Sequence, residues 1–288
     1  MDISEILTLI ILFFVGSILG SFACCQAWRI RLKQLNKKDP GKWSVCLSCG
    51  ARLKASENIP VFSWLAQRGK CKHCGASIGK TEILAEISLG IVFVLLGGFF
   101  YPEIISALSS TTTWYLPMLI SIMVLVAITV TAMWILVIYD AKWQELPVRL
   151  LVIVNFCAVF YTILRAAGQI SSSISSGTFP GEFLQMLPPL LGAVAILAGT
   201  YFLLYFFSKE KLVGSGDWLI ALPIALILGH WWLALVVLFL SNLLGSVFGV
   251  FQKLRQKKGQ IPFGPFLVVA FIVVYASQSW LLSLIASL

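Results

Sequence analysis

Residues 214–250 read GSGDWLIALPIALILGHWWLALVVLFLSNLLGSVFGV, from Gly214 to Val250. After Asp217 this stretch carries no aspartate, glutamate, lysine or arginine through Val250. The run is too long for one membrane crossing, which takes about 17–25 residues. It suits two short crossings joined at Gly229-His230-Trp231-Trp232, with the tryptophans at the membrane–water interface. Working outward, further apolar runs lie near residues 4–24, 83–101, 116–139, 147–166, 186–207 and 264–287. About eight spans result. With 59% hydrophobic and 11% charged residues and a mean hydropathy of +0.94, the expected fold class is an all-α polytopic membrane protein.

Lysine and arginine favour the cytoplasmic ends of short loops, and twelve of the 21 fall between Arg29 and Lys80. Placing that segment inside puts the N-terminus outside. It also brings Lys142, Arg149, Lys209, Lys211, Lys253, Arg255, Lys257 and Lys258 inside, leaving only Arg165 at an outer end. The expected organisation is a first transmembrane helix (1–28), a cytoplasmic four-cysteine domain (29–82) and a seven-helix membrane domain (83–288). The opening Met1-Asp2-Ile3-Ser4-Glu5 lacks a basic n-region, so the first span reads as a retained anchor. The serine-rich stretch Ser171 to Ser176 reads as a flexible external connection. The net charge of +9 is mainly topological and suits contact with anionic lipid headgroups; no nucleic-acid partner is needed to account for it.

An aspartate costs roughly 2.5–3.5 kcal/mol at mid-bilayer, less near an interface, and the chain has only four: Asp2, Asp39, Asp140 and Asp217. In this topology span three delivers Asp140 to the cytoplasmic face and span six begins there at Asp217. Two nearby carboxyl groups hold a single shared proton, because both cannot ionise cheaply. Such a pair can activate water against a peptide carbonyl: one carboxylate takes the water proton, while its protonated partner polarises the carbonyl and then protonates the leaving amine. Gly214 and Gly216 allow close approach to the backbone, and Pro223, which lacks an N–H, is expected to loosen span six beside the site. The plainer alternative makes both residues ordinary interfacial carboxylates, with Asp217 as the N-cap of its helix.

Cys46-Leu47-Ser48-Cys49 and Cys71-Lys72-His73-Cys74 form two C-x2-C knuckles separated by 21 residues, close to the spacing of a structural zinc site. Four thiolates close a tetrahedral site and leave no position for a reactive water, so zinc held there is structural. A reducing cytosol disfavours the disulfide alternative. Four thiolates leave no need for His73 as a ligand. Cys24, Cys25 and Cys157 read as small apolar packing residues.

Several stretches together resemble the type IV prepilin peptidases, bilobal eight-span aspartic proteases of the GxGD class. Gly20-Ser21-Phe22 followed by Trp28-Arg29 is similar to the family's G-S-F-L-N-V-V-I-Y-R, with Cys24 where asparagine is usual. Asn58-Ile59-Pro60-Val61-Phe62-Ser63-Trp64-Leu65 and Arg68-Gly69-Lys70-Cys71 resemble N-I-P-x-x-S-W-L-x-x-R-G-x-C. Asp140 opens a D-x5-L-P element ending at Leu146-Pro147, with Val148 in place of the usual next aspartate. Gly214-Ser215-Gly216-Asp217 resembles the second catalytic element, and Ile261-Pro262-Phe263-Gly264-Pro265-Phe266 the family's I-P-F-G-P-F. Thr81-Glu82-Ile83 departs from the usual R-Y-P, while Glu86 keeps an acidic position that serves either as an interfacial carboxylate or in a substrate or cofactor role.

The resemblance implies that Asp140 and Asp217 are the catalytic aspartates of a peptidase in a bacterial inner membrane. It implies cleavage of the basic leader from type IV prepilin or pseudopilin precursors, and S-adenosylmethionine-dependent N-methylation of the new terminus, an activity associated with the cysteine-bearing region. No S-adenosylmethionine fingerprint is legible in the residues themselves. The competing reading is a zinc-stapled membrane transporter or scaffold that uses Asp140 and Asp217 as ion or proton sites.

Overall fold

Small residues recur along one face of α1 (Ile3–Gln34): Gly16, Ser17, Gly20, Ala23 and Ala27 are buried, while Ile3, Leu7, Ile10, Ile11, Phe14 and Ile18 are exposed. An exposed apolar surface with a small-residue stripe is how helices pack in lipid, where close backbone approach replaces the hydrophobic drive. The stripe meets α3 (Lys80–Ser109): a Cβ on Gly16 would lie 2.6 Å from the Leu89 carbonyl oxygen, and one on Gly20 would lie 2.5 Å from that of Ala85.

The computed structural model describes residues 3–37, 41, 43–109, 115–176, 181–210, 213–255 and 261–286. Asp2, Asp39 and the basic residues Lys38, Lys42, Lys211, Lys257 and Lys258 lie outside the described residues. The chain divides into two compact units, Met1–Pro102 and Glu103–Leu288. In the first, the loop between α1 and α3 carries a 3-10 turn (Ala55–Glu57) and the short α2 (Phe62–Ala66). The second contains α4 (Tyr115–Trp143), α5 (Val148–Ser176), α6 (Gly181–Val194), a π-helical turn (Ala195–Gly199) and α7 (Thr200–Ser208), followed by α8 (Ser215–Leu228), α9 (Trp231–Leu254), α10 (Gly264–Ala276) and α11 (Gln278–Ala286). Every regular element among the described residues is helical, apart from the isolated bridges Val45–Arg52 and Lys70–Ser77.

The span count differs from eight. Six helices among the described residues are long and apolar enough to cross a membrane, and α10 with α11 makes a seventh, bent by 70°. The bend sits at Ser277, whose hydroxyl donates to the Val273 carbonyl oxygen, so residues 264–287 are not one straight span. The remaining expected span, α8, has 14 residues; at about 1.5 Å per residue it measures roughly 21 Å, against about 30 Å of hydrocarbon. It ends where Gly229 turns left-handed at φ 62°. Its brevity is tolerable because α5, α6, α7 and α10 pack around it and bury Ile220, Ala221, Ile224, Ala225 and Leu228; polar backbone at membrane depth is stable when protein encloses it. The expected connection at Ser171 to Ser176 is also revised, since α5 continues as helix through Ser176. Serine is only modestly worse than alanine in a helix, and a nucleated helix propagates cheaply.

Candidate active site and cysteine cluster

Three sequence stretches far apart in the chain meet where the C-terminal end of α4 reaches the N-terminal ends of α8 and α10. Asp140, in the last turn of α4, is only 6% exposed. Its Oδ2 accepts a hydrogen bond from the backbone N–H of Gly264 at 2.9 Å. Gly264 opens α10, so this N–H is one that the helix cannot satisfy internally. A helix N-terminus also carries partial positive charge suited to a carboxylate. The missing side chain gives the carboxylate its room: a Cβ on Gly264 would stand 2.9 Å from Asp140 Oδ2 and 3.3 Å from Ile220 Cδ1.

Asp217 is half-buried and occupies the third position of α8; the N-cap is Gly214, not Asp217 as the plainer alternative had it. Its Oδ2 accepts the Gly214 backbone N–H at 3.0 Å, the reciprocal half of a capping box. Each carboxyl thus has one oxygen held by a backbone N–H, while its Oδ1 has no protein donor among the described residues. The point occupied by a Gly264 Cβ would lie 2.9 Å from Asp140 Oδ2 and 3.3 Å from Cδ1 of Ile220, three residues after Asp217, so the end of α4 and the start of α8 come together at α10. Between them the chain is drawn tight, since a Cβ on Gly216 would lie 2.3 Å from Leu146 Cδ1 and 3.0 Å from Leu146 Cβ. The Leu146-Pro147 turn after α4 and the glycine turn before Asp217 therefore pack directly on one another.

Tyr201 of α7 is fully buried, at 1% exposure. Its hydroxyl accepts from Asn242 Nδ2 at 3.0 Å and lies 3.1 Å from Ser241 Oγ, while its ring sits 5.3 Å from that of Phe263. Neither this network nor the Gly264 amide was identified from sequence as part of the site. Gly264 was within reach as a member of the Ile261 to Phe266 stretch, whereas Tyr201 sits in an apolar run with no distinguishing signal.

The cysteine cluster is built independently, within the first unit. Each knuckle folds the same way: Cys46 N–H donates to the Ala51 carbonyl at 2.9 Å and Gly50 N–H to Cys46 at 2.8 Å, as Cys71 N–H donates to Ala76 and Gly75 N–H to Cys71, both at 2.9 Å. Gly50 and Gly75 take the positive φ values, 71° and 70°, that close these turns. All four Sγ atoms lie within 4.8 Å of one another, and Cys46 Sγ to Cys74 Sγ is 3.9 Å. Sulfurs around a tetrahedral zinc with bonds of about 2.3 Å stand ~3.8 Å apart, so the donor set fits that metal. The backbone N–H of Cys49 lowers the Cys46 thiol to about 6, despite the opposing desolvation. His73 stays out of the ligand set; its Nε2 lies 3.5 Å from Glu57 Oε2, which also accepts the Lys54 backbone N–H at 2.9 Å. Cys24 is buried, with its thiol 3.9 Å from the Thr81 carbonyl, as expected of a packing residue.

Beside the cluster lies a cavity of about 540 Å³, with Trp28, Trp43, Trp64, Glu57, Glu82 and Glu86 in its lining. Its size falls in the usual range for small-molecule sites. Glu86, 8% exposed, accepts the Val61 backbone N–H at 2.7 Å and so ties the start of α3 to the loop. Aromatic rings together with carboxylates suit a ligand that is both aromatic and cationic.

Residues 14–100 match the Bacterial Peptidase A24 N-terminal domain, and residues 127–250 match the Type IV leader peptidase family. The chain belongs to the type IV leader peptidase family. A relative from Bacillus subtilis is 30% identical over 275 residues, covering 92% of each chain. One from Vibrio cholerae is 24% identical over 293 residues, 95% of this chain and 98% of the relative. One from Dichelobacter nodosus is 27% identical over 227 residues, 79% and 68% respectively. All three are named prepilin leader peptidase/N-methyltransferase. No solved structure matches the chain. Membership makes this membrane protein an enzyme and leaves the transporter or scaffold alternative without support. Asp140 and Asp217 both fall inside the leader peptidase match, and the four cysteines fall inside the N-terminal domain match.

Proposed function

We propose that this protein is a membrane aspartic endopeptidase that removes the basic leader of type IV prepilins or pseudopilins at the cytoplasmic face of a bacterial inner membrane, with Asp140 and Asp217 as the catalytic pair. The observation that carries this reading is the meeting of three stretches around two carboxylates: Gly264 donates to Asp140, Gly214 donates to Asp217, and Leu146 packs on Gly216. One oxygen of each carboxyl is oriented by backbone, and the other faces the substrate. One carboxylate takes the proton of the attacking water. The protonated partner gives its proton to the scissile carbonyl oxygen; the carboxyl that took the water proton then gives it to the leaving amine, and the partner regains a proton from the diol hydroxyl as the C–N bond breaks. A precursor whose apolar segment lies in the bilayer with its basic leader inside presents its cleavage point at this depth.

Cys46, Cys49, Cys71 and Cys74 hold a structural zinc that staples the loop between α1 and α3 and leaves no open position for chemistry. The same protein methylates the new N-terminus, with S-adenosylmethionine as donor. The tryptophan- and glutamate-lined cavity supports that activity by its size and chemistry, and a bound donor would supply the methyl group. The test is incubation of the purified, metal-loaded protein in detergent with a synthetic prepilin and S-adenosylmethionine, followed by intact-mass measurement. Loss of the leader plus one methyl is expected. Leader loss without methylation removes the second activity, and an uncut precursor overturns the substrate assignment.

A further inference from the structure

Pro223 lies inside α8 and has no N–H, so the carbonyl four residues earlier, that of Leu219, loses its helical hydrogen bond. Sequence reasoning alone expects that loss to loosen the helix next to Asp217. The structure fills the gap instead. Asn155 of α5 donates its Nδ2 to Leu219 O at 2.9 Å, while the same amide donates to Leu151 O of its own helix at 2.9 Å. Two donor protons thus serve two carbonyls. One heptad along both helices Thr162 Oγ1 lies 3.4 Å from Leu226 O, but its single proton goes to Ala158 O of its own helix at 2.9 Å, so only Asn155 has a donor to spare for α8. The spacing Asn155 to Thr162 equals that of Leu219 to Leu226, so one face of α5 runs in register along α8.

We propose that Asn155 is a positioning residue for Asp217: its side-chain amide replaces the hydrogen bond removed by Pro223 and so holds the first turn of α8, two residues from the carboxylate, against α5. The inference rests on the peptidase reading above. A proline in this helix frees the N-terminal turn from the body of α8, and Asn155 then determines where that turn, with Asp217, comes to rest. An unsatisfied carbonyl in this packed setting draws the turn toward any other donor or water, and a displacement of about 1 Å at a reacting group costs on the order of a hundredfold in rate.

The test is a double-mutant cycle on the full-length, metal-loaded protein in detergent, reading kcat and KM for leader cleavage. Asn155→Leu keeps the bulk and removes the donor. It should lower kcat by about ten- to a hundredfold, with KM within about threefold. Pro223→Ala restores an N–H to Leu219 O, so Asn155→Leu in that background should cost less than about threefold. A role in packing alone predicts the same loss in both backgrounds, and that result overturns the proposal, as does a full kcat in Asn155→Leu itself. Should Pro223→Ala fail to fold, the pair Asn155→Gln and Asn155→Asp decides. Glutamine keeps an amide donor and retains most of kcat, whereas aspartate turns acceptor oxygens toward Leu219 O and loses it; equal loss in both refutes the donor role. Asp217→Asn serves as the control. If it still cleaves, the peptidase assignment fails; if it is inactive while the cycle shows no coupling, only the role of Asn155 falls.

Discussion

Substituting Gly264 by alanine tests the geometry around Asp140 most directly. The new Cβ would lie 2.9 Å from Asp140 Oδ2 and 3.3 Å from Ile220 Cδ1. Ordinary van der Waals contact begins at 3.4 Å, so the carboxylate must retreat by about 0.5 Å. Ile220, fully buried, blocks retreat of the Cβ to the other side. A carboxylate shifted by that amount stretches the 2.9 Å hydrogen bond from Gly264 N–H. Hydrogen bonds to charged groups contribute about 1.5–3 kcal/mol, so weakening this one costs about 1–2 kcal/mol at most. The fold survives, with a lowered melting temperature. The catalytic loss is larger, because misplacement by about 1 Å costs on the order of a hundredfold; half that displacement places the expected fall in kcat between about tenfold and a hundredfold. KM should stay within a few-fold, since the change acts first on the Asp140 carboxylate. The assay is cleavage of a synthetic prepilin under saturating and subsaturating conditions, quantified by mass. A Gly264→Ala protein that folds and cleaves within twofold of wild type refutes the idea that this amide orients Asp140.

Asp140→Asn and Asp217→Asn should each abolish cleavage while leaving expression and metal content unchanged, since either change removes a proton acceptor without altering shape; a rate near wild type in one of them rules out the pair. At Gly216 the neighbour is the flexible end of Leu146, so Gly216→Ala should lose activity that Leu146→Ala partly restores, and absence of such rescue breaks the proposed contact between the two turns. Cys46→Ser should lose bound zinc and make the α1–α3 loop sensitive to protease, checked by elemental analysis and limited proteolysis. In the metal-stripped protein the Cys46 thiol is held down to about 6. Against the backbone N–H of Ala76, desolvation and the adjoining thiols push its neighbour Cys74 up to about 11, so zinc uptake must displace protons and should weaken as the pH falls; uptake that is flat from pH 5 to 8 contradicts thiolate ligation.

Much of the candidate site was legible because its signals are local. The four cysteines announce themselves by spacing, and the turns that close each knuckle are short enough to be dictated by Gly50 and Gly75. The two aspartates stand out because a carboxylate at the end of an apolar run is costly. The span count was less secure. Hydropathy averages over a window, so it does not distinguish a short helix wrapped by protein from one facing lipid. In α8 that difference comes from α5, α6, α7 and α10, none of which is its sequence neighbour except α7.

By itself, then, the sequence determined the membrane class, the four-cysteine cluster, the two candidate carboxylates and the family resemblance, all of which are written in residue type and short-range spacing. Only the tertiary structure decided what those carboxylates touch. The N–H that holds Asp140 comes from Gly264, 124 residues away, and the donor that fills the gap left by Pro223 comes from Asn155, 64 residues from Leu219. A backbone amide has no side-chain signature, and an asparagine in an apolar helix does not name the carbonyl it will meet. Such partners are selected when helices distant in sequence pack, because in a lipid-facing bundle every freed polar group must find one inside the protein.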